Sequence, residues 1–168
     1  MEYVVNAINV SKHFKKHAAV DNVSLTIKRG EIFGFIGRNG GGKTTFMKMV
    51  SGLTSPTSGE IEIFGAKGKD AFEHRRRIGN LIEDPGIYPE LNAMANLKCK
   101  SIAMGINKEG YEQELLDLVG LGDTGKKKVG DFSLGMRQRL GIAAAIINNP
   151  DVVLLDEPTS ALDMVLTQ

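Results

Sequence analysis

The run Gly37-Arg38-Asn39-Gly40-Gly41-Gly42-Lys43-Thr44 satisfies the spacing G-x-x-x-x-G-K-[ST]. Glycines at these positions let successive backbone N–H groups converge on phosphate oxygens, and a helix starting at their end adds about half a positive charge. Lys43 supplies a point charge to the β- and γ-phosphates of a nucleotide, Thr44 offers its hydroxyl to Mg²⁺, and Thr45 follows within reach of the α-phosphate. Much later, Val152-Val153-Leu154-Leu155-Asp156-Glu157 ends an apolar run in two carboxylates. Asp156 suits the Mg²⁺ shell, and Glu157 suits orienting and deprotonating an attacking water. Between them lies Ser133-Leu134-Gly135-Met136-Arg137-Gln138-Arg139, a small Ser/Gly segment opening a helical pattern. Its backbone N–H groups can serve a second nucleotide, which turns one site into half of a shared one and implies two chains closing on ATP.

These residues need particular elements to hold them. Val4–Val10 and Ala19–Ile27 have strand character, with Val20, Val23, Leu25 and Ile27 alternating in the second, and suit an antiparallel flap. Glu31–Ile36 is a compact apolar run entering Gly37, and the spacing predicts a strand there. A helix is expected over Lys43–Val50 with Phe46, Met47 and Val50 packing, strands over Glu60–Phe64 and Ile78–Ile82, and a polar helix over Asp70–Arg77 whose basic run is a solvated face. From Glu83 helical patterns dominate, at Asn92–Met104, Lys108–Val119 and Leu134–Ile147, before Val152–Leu155 returns to a buried strand. The expected architecture is α/β: a P-loop core with an N-terminal β flap over residues 1–82, a helical subdomain inserted over 83–148, and the acidic strand with its following loop over 149–168.

Composition narrows the partners. With 21 basic and 20 acidic side chains the net charge is +1, so nothing global favours nucleic acid or an anionic membrane. The 168 residues, 42% hydrophobic, suffice for one domain and its core. One cysteine, Cys99, forms no disulfide framework and is expected to pack within a helix, consistent with a reducing compartment. No segment reaches the about 18 apolar residues of a membrane span, and the N-terminus has no signal-peptide pattern. A cytoplasmic chain is expected, with any membrane role borrowed from a partner.

Taken together, Gly37–Thr45, Ser133–Gln138, Leu154–Pro158 and Ser160-Ala161-Leu162-Asp163 resemble the nucleotide-binding domain of an ATP-binding cassette (ABC) transporter. The resemblance runs from about Val4 to the last residues. It implies that Ser133 and Gly135 contact the γ-phosphate held by a head-to-tail second copy, and that Asp163 communicates across that dimer. Phe14 falls where the family stacks an aromatic on adenine, although spacing alone equally admits a core or flap phenylalanine. Glu83 falls where most members carry a glutamine that senses Mg²⁺ and the membrane permease. The implied cofactors are therefore ATP and Mg²⁺, with Thr44, Glu83 and Asp156 toward the metal and Gly37, Asn39, Gly40, Gly41, Gly42 and Lys43 around the phosphates. Lys43 and Glu157 are the implied catalytic pair.

Leu134, Met136 and Glu83 depart from the family's commonest pattern. With the segment Pro85–Leu91 they resemble exporter ATPases of the bacitracin and lantibiotic resistance type, docked at the inner face of a membrane through a permease. A further departure is that the sequence given ends at Gln168 without the histidine the family places on the strand after Asp163. His13, His17 and His74 precede Asp156 and are expected to be solvated surface residues. The resemblance thus implies an incomplete core, part of a longer protein, with little turnover by itself. Two other readings compete: a soluble ABC protein of translation or DNA maintenance, disfavoured by the short stretch between Glu83 and Ser133 without heptads or zinc-like cysteines, and an inactive fragment.

Overall fold

The alternation of the first strands is realised as a three-stranded antiparallel sheet with the first strand at its centre. In the computed structural model, which describes residues 3–158, β1 (Tyr3–Phe14) pairs antiparallel with β2 (His17–Lys28) on one side and with β3 (Ser58–Ile63) on the other. Val5, Ala7 and Val10 of β1 meet Ile61 and Ile63 of β3 in the core, all 6% exposed or less. Register shifts break both ladders near Asn9 and the β1–β2 ladder again beyond Val10, and Asn9 and Asn22 adopt φ of 48° and 49°. Asparagine tolerates this left-handed region, and such irregularities sharpen the twist of the pair. The N–H groups they divert are met by serine hydroxyls across the strands, Asn9 to Ser24 and Asn22 to Ser11, both at 2.8 Å.

On the sheet's polar side a hydrogen-bonded chain crosses all three strands. Thr26 donates to Asn6, the Asn6 amide donates to Glu62, and Tyr3 donates to the same carboxylate at 2.9 Å. Lys67 closes it with contacts of 2.9 Å to Glu62 and 2.7 Å to Glu60. Glu62 is almost fully covered, and the donors on its carboxylate, Asn6 first, hold its pKa down at about 2. Lys67 is correspondingly raised by its bonds to Glu60 and Glu62.

The helix after the glycine loop, α1 (Lys43–Val50), buries Phe46, Met49 and Val50; Met49, rather than the expected Met47, takes the inward position. Residues 31–36 differ from expectation more sharply, because they form no strand. A ladder needs a neighbour, and none of the described strands lies beside this run, so Ile32 and Ile36 stand exposed. Only Phe35 finds apolar cover, its ring stacked 5.1 Å from that of Phe46. The helix expected over Asp70–Arg77 is α2 (Asp70–His74) tightening into a 3₁₀ turn over Arg75–Arg77. Its basic run is not simply a solvated face. Arg75 is half-buried and donates to the Val50 carbonyl, burial lowering its pKa, and the Arg77 guanidinium lies 3.7 Å over the Phe64 ring. His74 is likewise half-buried and tilted toward Phe64, whereas His13 and His17 are exposed as expected.

The chain divides into two units, Met1–Ile78 and Gly79–Gln168. The second has its own core. Here β4 (Ile78–Leu81) pairs with β5 (Val152–Leu155), and α3 (Ala93–Met104), α4 (Tyr111–Leu118) and α5 (Leu134–Ile146) bury Leu97, Leu116, Leu121, Leu140 and Ile147 together. A Cβ at Gly79 would overlap the Ala145 carbonyl oxygen, so glycine is what lets α5 lie close on β4. Asn92 caps α3 by accepting from Ala95 N–H at 2.8 Å. Buried Asn96 then clasps the Tyr88 main chain with both ends of its amide and so fixes the loop after β4. Cys99, expected to pack, is exposed on α3. No helix among the described residues is long and apolar enough to cross a membrane.

Candidate nucleotide site

In the first unit the glycine loop leads directly into α1. Gly42 caps the helix at φ 83°, a left-handed conformation in which a Cβ would also overlap the Ala19 carbonyl oxygen of β2. Glycine is therefore required twice at this position, once by torsion and once by the flap strand behind it. No side chain caps α1, and a helix N-terminus of this kind suits an anion. The Lys43 ammonium is folded into the loop and donates to the carbonyls of Gly37 at 2.9 Å and Arg38 at 3.1 Å. Gly41 N–H in turn donates to the Arg38 carbonyl, which closes the loop on itself. Asn39 and Gly40 are exposed at its tip, while Thr44 and Thr45 are half-buried in the first helical turn. Phe14 sits at the end of the β1–β2 hairpin, about half exposed, with the Lys12 ammonium 5.1 Å from its ring centroid. It is a flap residue with an open ring face, not a core one.

The second unit gathers the other candidates. Ser133 is the N-cap of α5, its hydroxyl accepting from Met136 N–H at 3.2 Å, and Gly135 lies in the first turn. Leu134 is largely exposed beside it. Two arginines pin this end of the helix: Arg137 donates to Phe132 O at 2.6 Å, and Arg139 donates to the carbonyls of Val119 and Gly120. At the paired ends of β4 and β5, Asp156 N–H donates to Leu81 O at 2.9 Å, which ties the start of the Asp156-Glu157 pair to β4. Glu83 and Glu157 both have positive φ, 61° and 47°. A non-glycine residue in this region costs on the order of 1 kcal/mol or more and persists where the surroundings enforce it, a pattern that clusters at working sites. One contact was not readable from the sequence: the Gln138 side-chain amide donates to the Glu157 carbonyl at 2.9 Å. No spacing rule signals a helix side chain reaching a strand end so far along the chain. Asp163, the remaining expected site residue, lies outside the described residues.

The glycine loop of the first unit suits a nucleotide phosphate. Among the described residues no three His, Cys, Asp or Glu side chains are grouped to cage a metal. Thr44 in the first unit, and Glu83 and Asp156 in the second, each carry hard oxygen donors of the kind Mg²⁺ accepts alongside phosphates and water. The Lys43 ammonium, which donates to the loop carbonyls of Gly37 and Arg38, is the charge a phosphate would meet.

Comparison with known proteins agrees with this chemistry. The family model described as ABC transporter matches residues 20–160. The chain is 45% identical, over 98% of its length, to the bacitracin transport ATP-binding protein BcrA of Bacillus licheniformis, of which it covers 54%. It is 42% identical, over 94% of its length, to the lantibiotic transport ATP-binding protein SrtF of Streptococcus pyogenes, covering 67% of that protein. The chain thus spans about half the length of the first of these relatives. Among solved structures, the dimeric ATP-binding cassette MJ0796 in a post-hydrolysis state with ADP and Pi superimposes with a TM-score of 0.83 at 31% identity, covering 95% of this chain and 76% of that one. A glycine loop closed by Lys43, a serine-capped α5 and a strand ending in Asp156-Glu157 are thus found in a chain that belongs to the ABC transporter family.

Proposed function

We infer that this chain is the ATP-binding and ATP-hydrolysing part of a transporter subunit, working as a head-to-tail dimer on two ATP molecules and powering export through a separate membrane permease. The observation that carries the reading is the Lys43 ammonium drawn into a loop whose helix presents its N-terminus beside it. In this reading the loop N–H groups and Lys43 bind and orient the phosphates, Thr44 and Asp156 face the metal, and Phe14 stacks on the base. Glu157 orients water and takes its proton, and Ser133 and Gly135 of the second copy complete the cradle around the γ-phosphate. Bound Mg²⁺ neutralises charge developing on the phosphate oxygens. Glu83 and the loop to Leu91 face the permease, which keeps the subunit at the inner face of the membrane.

Similarity to bacitracin and lantibiotic transport proteins supports peptide antibiotics as the exported class. The test is Glu157→Gln in the full-length protein with its permease. Hydrolysis should fall by roughly a hundredfold or more, the scale of general-base catalysis, while ATP is retained in a stable dimer. Undiminished turnover would remove Glu157 from this role.

A further inference from the structure

Glu157 poses a geometric problem. Its carboxylate follows β5 by two residues, yet its backbone turns left-handed at φ 47°, a conformation glutamate does not choose unaided. The turn is met from α5, where the Gln138 amide donates to the Glu157 carbonyl at 2.9 Å. Only the N–H end of that amide can face a carbonyl, so the donor is unambiguous.

Gln138 is also mechanically well placed. It stands between Arg137 and Arg139, which bind the helix to Phe132 and to the Val119–Gly120 carbonyls. Ser133, the cap of the same helix, lies five residues away, about 7.5 Å along the axis at 1.5 Å per residue. We propose that Gln138 is a positioning residue for hydrolysis: it holds the Glu157 main chain in the conformation that aims the carboxylate, and so ties the helix end that clamps one nucleotide to the base acting on another. This rests on the dimeric ATPase reading, in which Ser133 and Glu157 of one chain serve different ATP molecules. Closure of the partner's nucleotide on Ser133 then shifts α5 and, through Gln138, sets Glu157 within its own site.

The test compares Gln138→Met, Gln138→Glu and Gln138→Lys in the full-length protein. All three are good helix formers, so α5 itself is not the variable. Methionine and glutamate lack the donor, whereas lysine keeps one on a longer stem. The Met and Glu variants are expected to lose up to about a hundredfold in kcat, the scale of a catalytic group displaced by about 1 Å, with KM for ATP unchanged. Combined with Glu157→Gln, Gln138→Met should still trap ATP in a dimer, and Gln138→Lys should recover most of kcat. Parent-level kcat in Gln138→Met, a loss confined to KM, or a lysine variant as slow as methionine overturns the proposal. If Glu157→Gln alone leaves hydrolysis intact, the base assignment and this tie fall together; if it abolishes hydrolysis while Gln138→Met is harmless, only the tie falls.

Discussion

Lys43 shows how much can hang on one side chain. Its ammonium makes two carbonyl contacts in the loop, and these are hydrogen bonds a phosphate can replace with stronger, charge-assisted ones. Bonds to charged groups contribute about 1.5–3 kcal/mol each, so Lys43→Ala should weaken ATP binding by at least about 10- to 100-fold. Calorimetric titration of the full-length protein checks this, and unchanged affinity would overturn the assignment of the glycine loop. This part of the site was legible in the sequence because its chemistry is local: torsions, N–H groups and charge all come from Gly37–Thr45. The demand on Gly42 was half legible, since the loop's spacing called for glycine but could not show that Ala19 of β2 stands behind it. Arg75 and Arg77 depart from a solvated face for a related reason, because their cover comes from Val50 and Phe64, partners that a polar helical pattern does not name.

At the scale of elements, pairing decides what local pattern cannot. Residues 31–36 have the composition of a buried strand, but strand is a relation between two segments, and without a neighbour the run leaves Ile32 and Ile36 in solvent. The flap is the opposite case, where alternation and turn together were enough to foresee an antiparallel pair. What alternation could not foresee is the polar chain from Thr26 through Asn6 to Glu62. It makes a testable claim about acid stability. The Glu62 carboxyl titrates at about 2 when folded, against 4.5 for the ordinary group. Its folded pKa is depressed, so its contribution is full above 4.5 and is lost as pH falls toward 2, where the unfolded chain binds the proton first. Glu62→Gln should therefore lower Tm at neutral pH and flatten the decline of Tm between about pH 5 and about pH 3. Equal slopes in the two proteins would show that the acid sensitivity lies elsewhere.

For the whole molecule, the decisive question is which chain completes which site. Lys43 lies in the first unit and Ser133 in the second, each with its own packed core, so a lesion in one leaves the local geometry of the other intact. If both groups of one chain served the same ATP, mixing a Lys43→Ala protein with a Ser133→Glu protein could never assemble an undamaged site. In a head-to-tail dimer the outcome differs. The Lys43→Ala chain still lends a sound Ser133, and the Ser133→Glu chain still carries a sound Lys43. Each mixed dimer therefore has one site with both lesions and one with neither. In the full-length protein carrying Glu157→Gln to hold nucleotide, neither variant alone should form an ATP-retaining dimer, because the first lacks the phosphate charge and the second sets a carboxylate against the γ-phosphate. Their mixture should form one, visible as bound nucleotide co-eluting with dimer in size-exclusion chromatography. Failure of the mixture, with the Glu157→Gln parent dimerising normally, would place both groups on one nucleotide and reject the shared site.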